Sequence, residues 1–430
     1  MKIAVVGSGI AGLAAAHALR GSAAVTVFEA DSHFGGHANT VDLTLEGIRH
    51  GVDTGFLVFN ERTYPGLIRL FTQLGVPTAP SEMSFSVQVP GAVFGSRPLE
   101  WSGSSLGSVF CQPANLVRPR FWRMLRDLLR FNKLATGIAE TEAADLVQPL
   151  GDFLEVHGFS REFRDWYLLP MVGCIWSSPA RDILRFPVGS LVRFCHNHGL
   201  LQVANRPRWF TVAGGSRQYV ERIVAKLHDA RLNTPVLRVQ RGEAGVRVTT
   251  AGGTEIFDKL VLATHPDQAL ALLSDASRDE RRVLGAISYR QNRAVLHTDT
   301  SALPRSTRAW AAWNYEAGSQ GAAGGVCLHY LINRLQPLPW RQPVIVSLNP
   351  LRPIDPRLVA GEFDYAHPVF DEAALHAQSQ LPRLQGQHET WYCGAWTGYG
   401  FHEDGLVSGE GVAKSLLVTR RIEKMAQEIA

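Results

Sequence analysis

Short apolar runs and helix-compatible stretches alternate at both ends of the chain. Residues 2–6 form a β-branched apolar run, Leu13–Leu19 is rich in alanine, and Val25–Phe28 is a second apolar run. This alternation is typical of α/β folds that contain a parallel sheet. Later in the chain, short strands are predicted at residues 234–239, 246–249 and 259–264, and an apolar helix-compatible run is predicted at 407–417.

The turn between the first strand and the first helix carries the glycine spacing of a dinucleotide site. It reads Gly7-Ser8-Gly9-Ile10-Ala11-Gly12. In this pattern Gly7 makes the tight turn, Gly9 lets the backbone approach a pyrophosphate, and Gly12 lets the helix pack close to the strand. The free N–H groups at the helix start, at Ile10 and Ala11, then face the phosphates.

An acidic residue ends the second predicted strand. Glu29 lies 17 residues after Gly12, with Ala30 beside it. A carboxylate at this place accepts hydrogen bonds from a ribose and disfavours a 2′-phosphate. The strand, turn, helix and acid therefore predict a dinucleotide cofactor, and these residues alone leave NAD and FAD open.

Further glycines lie just beyond the predicted ribose site. Gly35 and Gly36 form a pair that lets the backbone pass close to a bulky cofactor, and Asp53-Thr54-Gly55 with Phe56 ends another predicted strand. Together with the first turn and Glu29, these segments resemble the flavin-containing amine oxidoreductase superfamily, which includes monoamine oxidases, protoporphyrinogen oxidases and phytoene desaturases. The resemblance implies FAD, held non-covalently.

This chain departs from the superfamily directly after the glycine pair. An arginine usually follows the pair in that superfamily, but this chain has His37. Three roles are open for His37: contact with the phosphates, contact with the flavin edge, and a covalent link to the flavin.

The resemblance extends to the end of the chain. A segment from Trp391 to Leu406 is similar to the closing flavin motif of the superfamily. The resemblance implies that Gly394 and Ala395 line the ribityl chain and that Asp404, Gly405 and Leu406 start a helix aimed at the flavin pyrimidine ring. A helix N-terminus would stabilise the anionic reduced flavin. It also implies that Val236 meets the adenine through its backbone and that Ala263 lies beside the dinucleotide.

The resemblance implies an α/β fold: a Rossmann-like FAD-binding domain of the two-dinucleotide-binding type with an inserted α+β substrate domain. We assign residues 1–55, 210–285 and 385–430 to the FAD-binding domain and residues 56–209 and 286–384 to the substrate domain. Only one dinucleotide fingerprint is present. The electron acceptor is therefore expected to be oxygen, a quinone or another protein.

Composition argues against several other classes of protein. The formal net charge of +4 is too small to indicate a nucleic-acid partner. The five scattered cysteines contain no C-x-x-C pair, so neither a disulfide framework nor a metal is expected, and a cytoplasmic location fits. The sequence has no apolar stretch long enough to span a membrane.

One segment suggests contact with a membrane surface. Residues 118–136 form an amphipathic helix in which Phe121, Leu125, Leu128, Leu129 and Asn132 share a face, while arginines lie mostly elsewhere and Trp122 lies near the boundary. A basic amphipathic helix can lie on the inner face of an anionic membrane. The alternative is a surface helix packed on the substrate domain.

Several functions are compatible with these patterns. The glycine pair with His37 and the segment Gly398–Gly405 resemble a bacterial branch of predicted NAD/FAD-binding proteins associated with cyclopropane-fatty-acyl synthases. That resemblance implies dehydrogenation or desaturation of an apolar, lipid-like substrate, such as a modified fatty acyl chain, by hydride transfer to flavin N5. An amine oxidase is an alternative, although the strand at 288–298 lacks the lysine found in many such relatives.

Two further alternatives are a redox-neutral isomerase and a non-catalytic flavoprotein partner of a lipid-modifying enzyme. For the chemistry itself, His402 and Tyr399 are the candidate catalytic residues, because both lie just before the predicted flavin-facing helix.

Overall fold

The computed structural model describes residues 1–94, 97–141, 147–176, 179–202, 206–318 and 327–429. The first half contains these strands: β1 (Lys2–Val6), β2 (Ala24–Phe28), β3 (Thr40–Leu45), β4 (Ile48–Asp53), β5 (Phe59–Asn60), β6 (Thr78–Ser81), β7 (Phe85–Phe94), β8 (Arg97–Ser102) and β9 (Trp209–Val212). The second half contains β10 (Asp229–Arg231), β11 (Val236–Gly242), β12 (Gly245–Thr250), β13 (Gly253–Phe257), β14 (Lys259–Leu262), β15 (Tyr289–His297), β16 (Trp313–Glu316), β17 (Cys327–Leu331), β18 (Ile345–Leu348), β19 (Val359–Pro368) and β20 (Thr390–Tyr392).

The helices lie between these strands. They are α1 (Ile10–Leu19), α2 (Pro65–Leu74), α3 (Leu106–Val109), α4 (Pro119–Glu140), α5 (Leu150–Val156), α6 (Arg161–Phe163), α7 (Leu169–Trp176), α8 (Ala180–Ile183), α9 (Val188–Asn197), α10 (Arg217–Val224), α11 (Pro266–Leu272), α12 (Arg278–Leu284), α13 (Ile332–Leu335), α14 (Glu372–Gln380) and α15 (His402–Ile429). Within the described residues, no helix is long and apolar enough to cross a membrane.

A five-stranded parallel sheet carries the first turn. Its strand order is β10-β2-β1-β14-β20. Strand β1 is central because its residues are buried on both faces, as parallel strands covered by helices are. The predicted strands at 2–6, 25–28 and 259–264 are all part of this sheet, so the prediction of a Rossmann-like α/β fold is confirmed.

A second, larger sheet has seven strands in the order β19-β15-β18-β17-β16-β7-β8. On β19, Tyr365 is buried in the core of this sheet and Phe363 packs against that core partly buried. The β11-β12-β13 meander is a separate three-stranded sheet. The division of the chain into domains stays a prediction.

One buried carboxylate joins these parts of the fold. Asp53 ends β4 and is 1% exposed. Its Oδ1 accepts hydrogen bonds from the Thr40 hydroxyl at 2.6 Å and from the Ser216 backbone N–H at 2.9 Å. Its Oδ2 accepts from Gln336 Nε2 at 2.8 Å, and the Asp53 N–H donates back to Gln336 Oε1 at 3.0 Å. Burial raises the pKa of Asp53 to about 6, and the bonds from Thr40 and Ser216 oppose that shift.

We predict that Asp53→Asn destabilises the whole protein. The new amide N–H₂ must face groups that already donate, so at least one buried donor loses its acceptor. The expected loss is roughly 2–3 kcal/mol of unfolding free energy, measured by urea unfolding. Asp279→Asn is the control, because Asp279 forms an exposed ion pair with Arg282 at 2.8 Å and should change stability by less than about 1 kcal/mol. Equal stability of the two variants would contradict the assignment.

Candidate functional site

A single large cavity of about 2150 Å³ connects the parallel sheet with the seven-stranded sheet. At one end it is lined by the first glycine turn and by Glu29, and at the other by aromatic and aliphatic residues such as Trp101 and Met171. Large apolar cavities with a few polar groups are the usual form of small-molecule sites. This cavity is therefore the candidate site.

Two positions of the first glycine turn require glycine. A Cβ at Gly12 would lie 2.0 Å from the Gly7 carbonyl oxygen and 3.1 Å from Ala263 Cβ. Gly7 itself has a φ of +99°, which favours glycine. Helix α1 therefore contacts β1 and the end of β14 through Gly12, and the N–H groups at its start are directed to the cavity edge.

The carboxylate of Glu29 is held at the same edge. It is 8% exposed. Its Oε2 accepts from the Ser8 N–H at 2.9 Å, and its Oε1 accepts from the Asp31 N–H at 3.0 Å. A carboxylate has about four lone-pair sites, so Glu29 can still accept from a ribose hydroxyl. The donors fix its position, and the fit to a dinucleotide is good.

A group of histidines lies where the two lobes meet. His37, His265, His367 and His402 all line the cavity. The rings of His37 and His367 are 5.2 Å apart, and His37 Nε2 is buried without a hydrogen-bond partner among the described residues. Burial lowers the pKa of all four: His37 well below its usual range, His367 to about 4 and His402 to about 3. They are therefore neutral near pH 7.

The two candidate catalytic residues lie in different places. His402 stacks on Phe56 with ring centroids 3.8 Å apart, and its Nε2 is 2.7 Å from the Tyr219 hydroxyl. Tyr399 lines a separate, smaller pocket of about 280 Å³, and its carbonyl oxygen accepts from Trp176 Nε1. Of the two, His402 alone is among the residues that line the large cavity.

Helix α15 begins at His402, so Asp404, Gly405 and Leu406 lie in its first turns. Their contact with the flavin stays a prediction. The Asp404 Oδ2 accepts from the backbone N–H groups of Tyr399 and Phe401, so this carboxylate holds the preceding turn. A Cβ at Gly405 would lie 2.8 Å from Ile10 Cγ2, so this glycine allows α15 to approach α1.

The predicted cofactor residues divide into two sets. Those lining the large cavity are Gly7, Gly9, Ile10, Ala11, Glu29, Ala30, Gly35, Gly36, His37, Gly55, Phe56, Val236, Ala263, Gly394 and Ala395. Those outside its lining are Gly12, Thr54, Asp404, Gly405 and Leu406. The second set packs behind the first: for example, the Thr54 hydroxyl is 2.6 Å from the Tyr365 hydroxyl. Their direct contact with a cofactor stays a prediction.

The sequence analysis gave no role to three residues on the substrate side of the cavity. Tyr365 and His367 come from β19, and Tyr289 comes from β15 and stacks on His265 at 4.0 Å. The spacing of Phe363, Tyr365 and His367 by two residues was the available signal, because such spacing predicts one face of a strand. No glycine motif accompanies these residues, so their spacing alone does not indicate a site.

A buried cluster of Glu316, Cys327 and His329 has the residue types of a metal site. However, Arg352 Nε lies 3.0 Å from Glu316 Oε1, and His329 Nδ1 lies 2.6 Å from the Ser347 hydroxyl. Because Arg352 already neutralises the carboxylate, we assign this cluster to the packing of the sheet rather than to metal binding.

We predict that Gly12→Ala weakens FAD binding. The added methyl group must push α1 away from β1, and overpacking of this kind costs about 1–3 kcal/mol, or roughly ten-fold in affinity. The measurement is the dissociation constant of FAD for the apoprotein. Gly411→Ala is the matched control, because a Cβ at this helical glycine meets nothing within 4 Å. Unchanged affinity in Gly12→Ala would refute the placement of the dinucleotide.

Solved structures with the same fold are enzymes of several kinds. A fatty acid isomerase from P. acnes that produces CLA is 16% identical, with a TM-score of 0.67 over 97% of this chain and 98% of that chain. Putrescine oxidase bound to putrescine is 18% identical, with a TM-score of 0.67 over 97% and 99%. Cyclohexylamine oxidase from Brevibacterium oxydans IH-35A is 17% identical, with a TM-score of 0.68 over 98% and 99%.

Sequence comparisons give the family. A comparison with curated proteins finds no match. The family model for flavin containing amine oxidoreductases matches residues 10–304, which is more than half of the chain. This span includes the last three residues of the first glycine turn, Ile10 to Gly12, together with Glu29 and the glycine pair. The chain therefore belongs to the flavin-containing amine oxidoreductase family, and it is an oxidoreductase whose cofactor is FAD.

Proposed function

We propose that this enzyme dehydrogenates an apolar, lipid-like substrate, such as a modified fatty acyl chain. The observation that carries the proposal is the continuous cavity, which extends from the FAD segments past the histidine group to an apolar end. The apolar end is lined by Trp101, Phe110, Leu125, Leu128, Tyr167, Met171, Cys174 and Ile175. A long apolar chain would bury its surface there, at about 25 cal/mol per Å².

Bound FAD would supply a two-electron acceptor for a hydride. The protein's own contribution is to align the chain, exclude water and accept a proton. The buried, neutral His402 is our candidate for the proton acceptor. Its Nε2 lies by the Tyr219 hydroxyl, so Nδ1 is the ring nitrogen without a partner among the described residues. The single dinucleotide fingerprint favours oxygen, a quinone or another protein as the final electron acceptor.

The amine alternative has less support from the cavity. Among the described residues that line it, none is a lysine, and its central histidines are neutral. The named neighbours nevertheless include both amine oxidases and a fatty acid isomerase. Chemistry on each substrate class must therefore be measured.

We predict that phospholipid with methylated or methylene-bridged acyl chains bleaches the flavin anaerobically, whereas simple amines do not. Leu125→Trp should slow this bleaching roughly ten-fold or more, because the larger side chain blocks the apolar end. Leu237→Trp is the control, because Leu237 lies on β11 and is 59% exposed. Dithionite should reduce the flavin of the unaltered enzyme and of both variants equally, because it does not need the apolar end of the cavity.

Other outcomes identify the alternatives. Hydrogen peroxide release with amines, without bleaching by lipid, would support an amine oxidase. Turnover of lipid after pre-reduction, without net use of reductant, would support an isomerase. If lipid does not bleach the flavin, amines release no hydrogen peroxide and the pre-reduced protein does not turn over lipid, a non-catalytic flavoprotein partner of a lipid-modifying enzyme would be supported.

Peripheral membrane contact forms the second part of the proposal. Leu106, Trp122 and Leu129 line the cavity and are also 79%, 49% and 60% exposed, so the cavity opens between them. The neighbouring Leu116 and Val117 are 52% and 76% exposed. This apolar rim, consisting of these five residues, suits an anionic lipid surface because arginines of α4 surround it.

The basic helix was predicted to carry Phe121, Leu125, Leu128, Leu129 and Asn132 on one face. In α4, Phe121 and Asn132 are buried, and Leu125, Leu128, Leu129 and Asn132 all line the large cavity. Its exposed arginines, Arg120, Arg123, Arg126 and Arg130, share two buried carboxylates, Glu162 and Asp127. The helix therefore keeps an excess of positive charge beside the mouth.

We predict that Leu129→Glu weakens binding to vesicles containing anionic phospholipid. Loss of one large apolar contact and gain of a negative charge should reduce binding roughly ten-fold or more. Co-sedimentation measures it. Leu237→Glu, at a leucine of nearly equal exposure (59%), should bind as the unaltered protein does. Equal loss in both variants, or no binding by the unaltered protein, would contradict membrane docking at this mouth.

A further inference from the structure

One wall of the cavity is formed by the end of β19. Every residue from Phe363 to Pro368 lines it. Tyr365 has its hydroxyl held by Thr54 at 2.6 Å and by Asn39 Nδ2 at 3.1 Å. His367 is held through one ring nitrogen: its Nδ1 lies 2.9 Å from Asn292 Nδ2. Its Nε2 has no hydrogen-bond partner among the described residues.

Two backbone groups fix the orientation of the amide that meets His367. The Arg293 N–H donates to Asn349 Oδ1 at 3.0 Å, so Asn349 Nδ2 is the atom that donates to Asn292 Oδ1 at 2.8 Å. Independently, Asn292 Nδ2 donates to the Arg290 carbonyl oxygen at 3.1 Å. Both contacts identify the same end of the Asn292 amide as the N–H₂ group.

The tautomer of His367 follows from this orientation. An amide N–H₂ only donates, so His367 Nδ1 must accept and carries no proton. Burial lowers the pKa of His367 to about 4, so the ring is neutral near pH 7. A neutral imidazole has one proton, which is then on Nε2. The relay Asn349–Asn292 therefore turns His367 into a fixed hydrogen-bond donor.

We propose that His367 donates a hydrogen bond from Nε2 to the acyl carbonyl oxygen of the substrate, and that Asn292 is the positioning residue that fixes this donor. The inference rests on the proposed function, because the carbonyl group that His367 would hold belongs to the apolar substrate proposed above. This contact would fix the position of the acyl chain along the cavity. A single neutral donor suits an ester or acid carbonyl because it places no charge in a buried site.

The position of His367 favours the substrate over the cofactor as its partner. The first glycine turn follows β1, and Gly394 and Ala395 follow β20, both in the parallel sheet. His367 lies instead on β19 of the seven-stranded sheet. The His37 ring, next to the glycine pair, is 4.9 Å from the Tyr365 ring and 5.2 Å from the His367 ring. His37 therefore connects the glycine pair to the wall formed by β19.

The test compares two probes of matched chain length, methyl decanoate and dodecane, binding to the oxidised FAD-loaded enzyme. We expect the unaltered enzyme to prefer the ester by roughly three- to ten-fold, the value of one neutral hydrogen bond. His367→Phe should abolish the preference, whereas His367→Gln, which keeps an N–H donor, should retain part of it. Asn292→Asp should also abolish it, because a carboxylate takes the ring proton to Nδ1.

A buried control separates this effect from loss of stability. Asn333→Asp removes the donors that bind the Trp340 and Gln342 carbonyl oxygens without touching His367, so the ester preference should persist. Nitrogen NMR of labelled histidine should show an unprotonated Nδ1 in the unaltered enzyme and a protonated Nδ1 in Asn292→Asp. A structural role for Asn292 alone would not move this signal.

Four results would overturn the proposal. They are equal binding of ester and alkane by the unaltered enzyme, an ester preference that survives in His367→Phe, a protonated Nδ1 in the unaltered enzyme, and a shifted flavin reduction potential in His367→Phe with the ester preference intact. The last result would assign the donor to the flavin. Failure of both probes to bind would instead refute the apolar-substrate proposal, and the ester contact with it.

Discussion

The Asp53 carboxylate is the interaction on which the site depends. It receives Thr40 from the start of β3, Ser216 from the start of α10 and Gln336 from the end of α13. These three segments are far apart in sequence, and Gln336 follows the short helix that leads from β17 to β18 of the seven-stranded sheet. A buried charge is tolerated only when donors surround it. Asp53 is not among the residues that line the large cavity, so it acts on the site by fixing these segments to one another.

The uncharged histidines are the second property of the cavity. Burial lowers the pKa of its four central histidines, so they act as polar but uncharged groups near pH 7. Charged side chains also line the cavity: Glu29, Asp31, Glu82, Asp364 and Arg206. The exposed arginines of α4 pair with the buried carboxylates of Glu162 and Asp127. The histidine group is therefore an uncharged part of a lining that also contains carboxylates.

The cofactor half of the fold could be predicted because its chemistry is local. A strand, Gly7–Gly12, a helix and Glu29 follow one another within thirty residues, so their spacing carries the geometry. The substrate half could not, because β15, β18 and β19 become neighbours only through long-range pairing. The order of strands and the relay from Asn349 to His367 depend on that pairing. The apolar face of α4 was predictable from helical periodicity, but periodicity cannot show whether a core or a cavity meets that face. Leu125, Leu128 and Leu129 of this face line the cavity.

The long final helix has a consequence for biogenesis. Strand β20 completes the parallel sheet beside β14, and α15 lies against α1 so closely that a Cβ at Gly409 would be 2.1 Å from the Ala11 carbonyl oxygen. Helix α1, which follows the first glycine turn, therefore packs against a helix that is synthesised almost four hundred residues later. The packing around this turn is therefore complete only after α15 has been synthesised and has docked on α1.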